Sequence, residues 1–431
     1  MEPAGPQRTA TIARAGRRRR SRKLVAVAAA LALIAAGQEA LFRWVFPLPE
    51  VGGFNRIHYQ MVARSHPNVL ADARRGLAYN RLRFESLPDG FSEVHRLNLY
   101  GFRGADFAID PPRGRRRILV LGDSIVEGVG APESGTITAE LARLLARDGE
   151  DAEILNLGVL AATLPHLTAL ARDALAVLRP TDLVLVLYAN DLPAPPYPRQ
   201  FDRPGPRFPR RVARRWVPRV VELLVRVARK EPIDRRWPHA TTPFFAPVPD
   251  PSNPWTGSSG PPAGLDATLY RAMVAGSINP WLKEQSDALP GMLSHRFDTG
   301  GSPERYLHRI DRWCRSVGAR LTVAYVPFCG VTHPRYASSL VQLGMARATA
   351  ERLAADPIYC RQDAMIAEVC ARLGLPLADT TAALRRAEAG GVPQYWSFDT
   401  HPRPAGYATI AREIHPALVT AGRNRRPRPD P

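Results

Sequence analysis

The stretch RILVLGDSIVEG, residues 117–128, decides how the chain is read. Its first five residues form a short apolar run entering Gly122, the pattern of a strand buried in a parallel sheet. A helical pattern follows over residues 138–146, with Leu141, Leu144 and Leu145 on one face. Ser124 therefore stands where a strand hands over to a helix. Working outward, EILNLG (153–158) reads as a second strand, 165–178 as a helix, and LVLVLYAN (183–190) as a third strand. After a long break, Ser302 as N-cap and Pro303 at the first helical position open a helix to about residue 317. LTVAYVPF (321–328), a helix over 362–373, LPLADT (375–380) and a helix over 404–418 complete the series. Strands alternating with helices at this spacing predict an α/β fold with right-handed crossovers and one parallel five-stranded sheet.

The chain has 431 residues, 45% apolar and 23% charged. That balance excludes a wholly disordered protein, which lacks the apolar surface to offset ordering entropy. A multi-span membrane protein is excluded too, because a single N-terminal stretch is long and apolar enough to consider. The formal net charge of +19 suggests nucleic acid until it is located. It sits in residues 1–23 (+7), 196–240 (+9) and 423–431 (+3), which leaves the rest of the chain neutral. A DNA-binding domain carries its basic stripe on the folded body, so no nucleic-acid partner is expected.

Residues 17–23 form a dense basic run, followed by the 14 residues LVAVAAALALIAAG (24–37). Basic flank then apolar segment is the pattern of a signal anchor or a signal peptide. Fourteen residues fall short of the roughly 20 that span a bilayer, and extension to Phe46 crosses Gln38, Glu39 and Arg43. An uncleaved anchor is the expected form, with cleavage near Ala35-Ala36-Gly37 the alternative. The positive-inside rule then places the chain after about residue 47 outside the cytoplasm, periplasmic or otherwise extracytoplasmic. The expected organisation is a basic cytoplasmic tail (1–23), the anchor or signal peptide (24–46), an N-terminal extension (47–110), a first half-domain (111–191), an insertion (192–300), a second half-domain (301–420) and a basic disordered tail (421–431). Proline density over 192–265 opposes regular structure there. Within it, residues 216–230 offer a basic amphipathic helix for an anionic membrane surface, or a solvated excursion packed on the domain.

Four cysteines, Cys314, Cys329, Cys360 and Cys370, lie in the exported part. Cys314 and Cys370 fall in helical patterns and read as small buried hydrophobes. Cys329 and Cys360 lie near element ends, where a disulfide between them is an option. No spacing suits a zinc site, and no metal or cofactor is expected.

In an open parallel sheet, reactive groups gather where strands end. After the first strand comes Gly122-Asp123-Ser124, a hydroxyl at a helix N-terminus that favours negative charge. Asn156-Leu157-Gly158 follows the second strand, where glycine lets a backbone N–H approach a substrate. The third strand leads to Asn190-Asp191, whose carboxamide offers a donor to an oxyanion. Late in the chain, Asp399-Thr400-His401 supplies a base and an orienting carboxylate. Each signal alone is weak: a turn, a cap, a surface histidine.

Together and in this order they resemble the four blocks of the SGNH (GDSL-type) hydrolase family: LGDSIVEG (121–128), NLG (156–158), YAND (188–191) and FDTHPRPAGY (398–407). The resemblance covers roughly residues 98–190 and 302–418. The membrane-anchored exported branch looks nearest, given the N-terminal segment and the N-x-x-G-F-R stretch at 98–103. What the resemblance implies is a flavodoxin-like doubly wound sheet, with Ser124 as nucleophile, His401 as general base and Asp399 orienting the imidazole. The N–H groups of Ser124 and Gly158 and the side chain of Asn190 would form the oxyanion hole. Two departures stand out. Asp399 and His401 are separated by one residue instead of two, and Tyr188 occupies a place usually held by glycine.

The expected activity is an esterase cleaving O-acyl, chiefly O-acetyl, esters through an acyl-enzyme, with cell-envelope glycans as substrates. One alternative is an O-acyltransferase using the same residues. The other is a non-catalytic glycan-binding or assembly protein.

Overall fold

The computed structural model describes residues 23, 25–41, 77–78, 89–91, 95–96, 98, 100–192, 220, 253–295 (without 256, 276 and 277) and 302–423. The chain groups into two compact units, one of residues 1–53 with 204–235, the other of 54–203 with 236–431. In the first, residues 25–40 are helical and leave Val25, Leu31 and Leu33 bare, Leu33 at 74% exposure. The Glu39 carboxylate there accepts the Val220 N–H at 3.2 Å. Among the described residues no helix is long and apolar enough to cross a membrane.

The second unit contains the expected sheet. Its strands are β1 (Arg116–Gly122), β2 (Ala152–Gly158), β3 (Asp182–Tyr188), β4 (Arg320–Val326) and β5 (Leu377–Asp379). All pair in parallel, in the order β2-β1-β3-β4-β5. This is the flavodoxin-like order, with its switch point between β1 and β3. The connecting helices are α1 (Ser124–Glu127), α2 (Ile137–Arg147), α3 (Leu164–Leu178), α4 (Ala267–Val274), α5 (Leu282–Ser294), α6 (Ser302–Ser316), α7 (Gln362–Leu373), α8 (Thr381–Ala389) and α9 (Pro404–Arg423). Strand residues alternate between two faces. Ile118, Val120, Val184 and Val186 pack in one core with Ile137 and Leu141 of α2 and Ile410 and Ile414 of α9.

The N-terminal edge of the sheet is tied by charge. Asp182 accepts from Arg116 Nε at 2.8 Å and from Arg320 Nε at 3.0 Å. Burial alone would raise the Asp182 carboxyl, but Arg116, Thr181 and Arg320 hold it below its ordinary value. This anchor leaves the opposite, C-terminal edge to the loops that carry the site.

Two expectations need correction. Order does not wait for residue 302: α4 and α5 fold inside the expected insertion, and Leu265, Leu269, Met273 and Leu282 form a second core with Phe91, Val129 and Phe398. Proline did not prevent this, because the prolines of 249–262 precede the helices, and Pro290 is accommodated within α5. Cys329 and Cys360 are free thiols, not a disulfide; Cys329 is wholly buried and the Cys360 thiol lies 3.2 Å from the Leu353 carbonyl. Cys314 and Cys370 are buried, as their helical patterns predict. The expected helix over 216–230 and the Pro/Arg-rich run before 250 lie outside the described residues, Val220 excepted.

Candidate active site

β1 ends at Gly122, in register with Gly158 of β2, so the loops after both strands start at one level. Asp123 caps α1 by accepting the Ile125 N–H at 2.9 Å. Ser124 is therefore the first residue of a helix, its own N–H among those that lack a helical acceptor. Gly128 ends the helix at φ 85°, a left-handed conformation that suits glycine. The turn is thus short, and its serine sits at the switch point of the sheet.

The late loop brings the other two groups. Ser124 Oγ lies 2.8 Å from His401 Nε2, and His401 Nδ1 is hydrogen-bonded to the Asp399 carboxylate. Ser124 is 7% exposed, and the Asp399 side chain is fully enclosed. The one-residue spacing works because Thr400 takes φ 70°. A β-branched residue in that region is strained, and the surroundings hold it there. The Thr400 N–H donates to the Trp396 carbonyl at 3.0 Å, and the Trp396 N–H donates to the His401 carbonyl at 2.9 Å. The loop is then fastened to the one after α1. Trp396 Nε1 donates to the Gly130 carbonyl at 2.9 Å, and the Tyr407 hydroxyl to the Val129 carbonyl at 2.7 Å.

Charge around the imidazole is one-sided. Burial pushes the His401 pKa down, but Asp399, with Asp123 and Glu127 beyond it, more than reverses this, so it lies above its ordinary value. Burial pushes the Asp123 carboxyl up to about 6, against its hydrogen bond from Ile125 and the charge of His401. Asp191 is driven well above the carboxylate range by burial and by Asp123. A histidine facing net negative charge is well suited to take up a proton from Ser124.

The three expected oxyanion donors are placed differently. The Ser124 N–H opens α1. Asn190 is exposed in the turn after β3. The Gly158 N–H is engaged by Asn156 Oδ1 at 2.9 Å. Gly158 is nonetheless required by packing: a Cβ there would meet the Glu127 backbone nitrogen at 2.1 Å. Tyr188 is buried, its hydroxyl without an aligned partner, beside the Thr400 side chain. The two departures from the family pattern thus adjoin one another.

Several supporting residues escaped the sequence reading. Arg103 is fully buried and donates to the carbonyls of Glu127 (3.0 Å), Gly128 (2.6 Å) and Ala131 (2.7 Å). Asp89 accepts the Ser397 N–H at 2.8 Å and pairs with Arg403, whose guanidinium lies 4.1 Å from the Trp396 ring centre. Glu127 pairs with His95. Arg103 had a signal, the N-x-x-G-F-R stretch; Asp89 and His95 had none.

No family model matches the chain, and no curated protein matches it. Solved structures do. One is the crystal structure of TesA, at 15% identity over 71% of this chain and 99% of that one, TM-score 0.33. A second is a family 3 carbohydrate esterase of Clostridium thermocellum, at 13% identity over 72% and 98%, TM-score 0.34. A third is a catalytic mutant of Axe2, an acetylxylan esterase of Geobacillus stearothermophilus, at 13% identity over 71% and 94%, TM-score 0.33. At these identities and scores, what the site does must be argued from its own geometry.

Proposed function

We propose that the protein is an SGNH-type serine esterase that cleaves O-acyl esters through an acyl-enzyme. The observation that carries this reading is the continuous relay Ser124–His401–Asp399 at the switch point of the sheet. In the first half-reaction, Ser124 Oγ attacks the acyl carbonyl while its proton passes to His401 Nε2. Asp399 holds the imidazole by Nδ1 and stabilises the imidazolium. The Ser124 N–H and the Asn190 carboxamide serve the oxyanion, joined by the Gly158 N–H when the Asn156 side chain releases it. Collapse expels the alcohol, which takes the proton from His401. Water then attacks the acyl-enzyme with His401 again as base, releasing the acid and freeing Ser124. No metal or cofactor is required by this sequence of steps.

Small acyl groups, acetyl above all, on envelope glycans are the substrates we infer; the enclosed serine supports a compact acyl site. The N-terminal segment supports a membrane-held protein of the exported branch with its catalytic unit outside the cytoplasm: a basic run precedes a helix whose apolar side chains are bare. Labelling with a fluorophosphonate, together with turnover of p-nitrophenyl esters with and without sugar acceptors, tests the activity. Wild-type protein should label and hydrolyse, and Ser124→Ala should do neither while keeping its melting profile. Near-wild-type turnover by the variant would remove Ser124 as the nucleophile. Acceptor-dependent ester formation would make the protein a transferase, and an unreactive wild type would make it a binder.

A further inference from the structure

A second carboxylate–imidazole pair stands at the C-terminal end of α1. Glu127, the last residue of α1, is 2% exposed, and its Oε1 is 2.8 Å from Nδ1 of His95, itself 1% exposed. Its other oxygen accepts the Leu160 N–H at 3.2 Å. Leu160 lies two residues past Gly158, whose Cα packs directly on the Glu127 backbone. Arg103 holds the Glu127 carbonyl from the third side. One side chain thus joins the serine's helix, the loop after β2, and a histidine of the N-terminal extension.

Burying a carboxylate is expensive even when it is paired. The placement has two consequences for the relay. The loop that begins at Gly158 is pinned to the helix that begins at Ser124, so their N–H groups keep a fixed separation. The Glu127 charge also acts on His401 at longer range, after the larger effects of Asp399 and Asp123.

We propose that Glu127, fixed by His95, is a positioning residue for the relay, holding the loop after β2 against the serine's helix and presenting charge to His401. The inference rests on the esterase reading for its kinetic half but not for its electrostatic half. Among the described residues, the groups set against Glu127 include His95, the Arg103 guanidinium, the Leu160 N–H and, at longer range, Tyr407 and His401; those set against His401 include Ser124, Asp399, Asp123 and Glu127.

The test uses the full chain in detergent and the variant Glu127→Gln, which keeps shape and removes charge. For p-nitrophenyl acetate, kcat should fall by about tenfold or more with KM changed less than about threefold, the scale of a disturbed oxyanion donor. The acid limb of the kcat profile should move to lower pH, because one of the charges raising His401 is gone. The His401 ring signals in NMR should titrate lower by the same interval. His95→Gln, which still offers a donor to Glu127, should retain most of the activity that His95→Ala loses. Wild-type kcat in Glu127→Gln, or a pH limb and His401 titration that both stay put, would overturn the proposal. If Glu127→Gln does not fold, the two His95 variants decide it on kcat: equal activities overturn it. A wild type that turns over no ester defeats the esterase reading separately, and the His401 titration still reports on Glu127.

Discussion

Thr400 shows how a single residue can hold a catalytic geometry at a cost. It lies between the two members of the Asp399–His401 pair, and its φ of 70° is a region that β-branched side chains rarely adopt. Such residues cost about 1–3 kcal/mol and persist where surrounding contacts over-determine them. Here those contacts are the paired hydrogen bonds between Trp396 and the Thr400–His401 segment, and the bridge between Tyr395 and Pro402. Asparagine tolerates the left-handed region far better. Thr400→Asn should therefore stabilise the catalytic unit by about 1 kcal/mol, raising its thermal midpoint by a few degrees. Ser124 should still react with a fluorophosphonate. A lower midpoint would mean that the contact between Thr400 and Tyr188 outweighs the backbone strain.

At the scale of elements, the close approach of β2's end to α1 sets the site's dimensions. Gly158 leaves no room for a methyl group, since the obstacle at 2.1 Å is the Glu127 backbone and not a flexible side chain. Gly158→Ala must push the helix and the loop apart. Overpacking of this kind costs typically about 1–3 kcal/mol, and the displaced loop should lower kcat by about a hundredfold. Fluorophosphonate labelling rates and thermal melts check both; an alanine variant with wild-type kinetics would show that the loop's position is not limiting. The same elements show what was legible in the sequence. The five strands announced themselves as apolar runs, and Ser124, His401 and Asp399 stood in recognisable order at the ends of strands. What holds them did not announce itself. Asp89, His95 and Arg103 act over 24 or more residues of separation, through buried pairs and carbonyl contacts that no local pattern encodes. The helices α4 and α5 were hidden differently. Their apolar faces are short, and the prolines upstream masked them, so the packing partners Phe91, Val129 and Phe398 from distant loops had to supply the core.

On the scale of the whole molecule, the long insertion divides by physical character. Its later part belongs to the catalytic unit: Asn253 Nδ2 donates to the Met273 carbonyl at 2.8 Å, Trp255 Nε1 to the Pro280 carbonyl at 2.6 Å, and Leu265 is buried in the second core. Residues 204–235 group instead with the N-terminal helix, where Val220 meets Glu39. The charge follows the same division, for residues 196–240 carry +9 and resist burial in an apolar core. The earlier part should therefore be separable from the fold. Replacing residues 196–250 by a Gly-Ser linker should leave a catalytic unit with an unchanged melting profile and undiminished fluorophosphonate labelling at Ser124. Small esters should turn over as before. Extending the replacement to residue 265 removes Asn253, Trp255 and Leu265, and should lower the midpoint by many degrees or unfold the unit. The two replacements make the division testable: if the shorter one already unfolds the protein, the basic segment is part of the architecture and not an appendage to it.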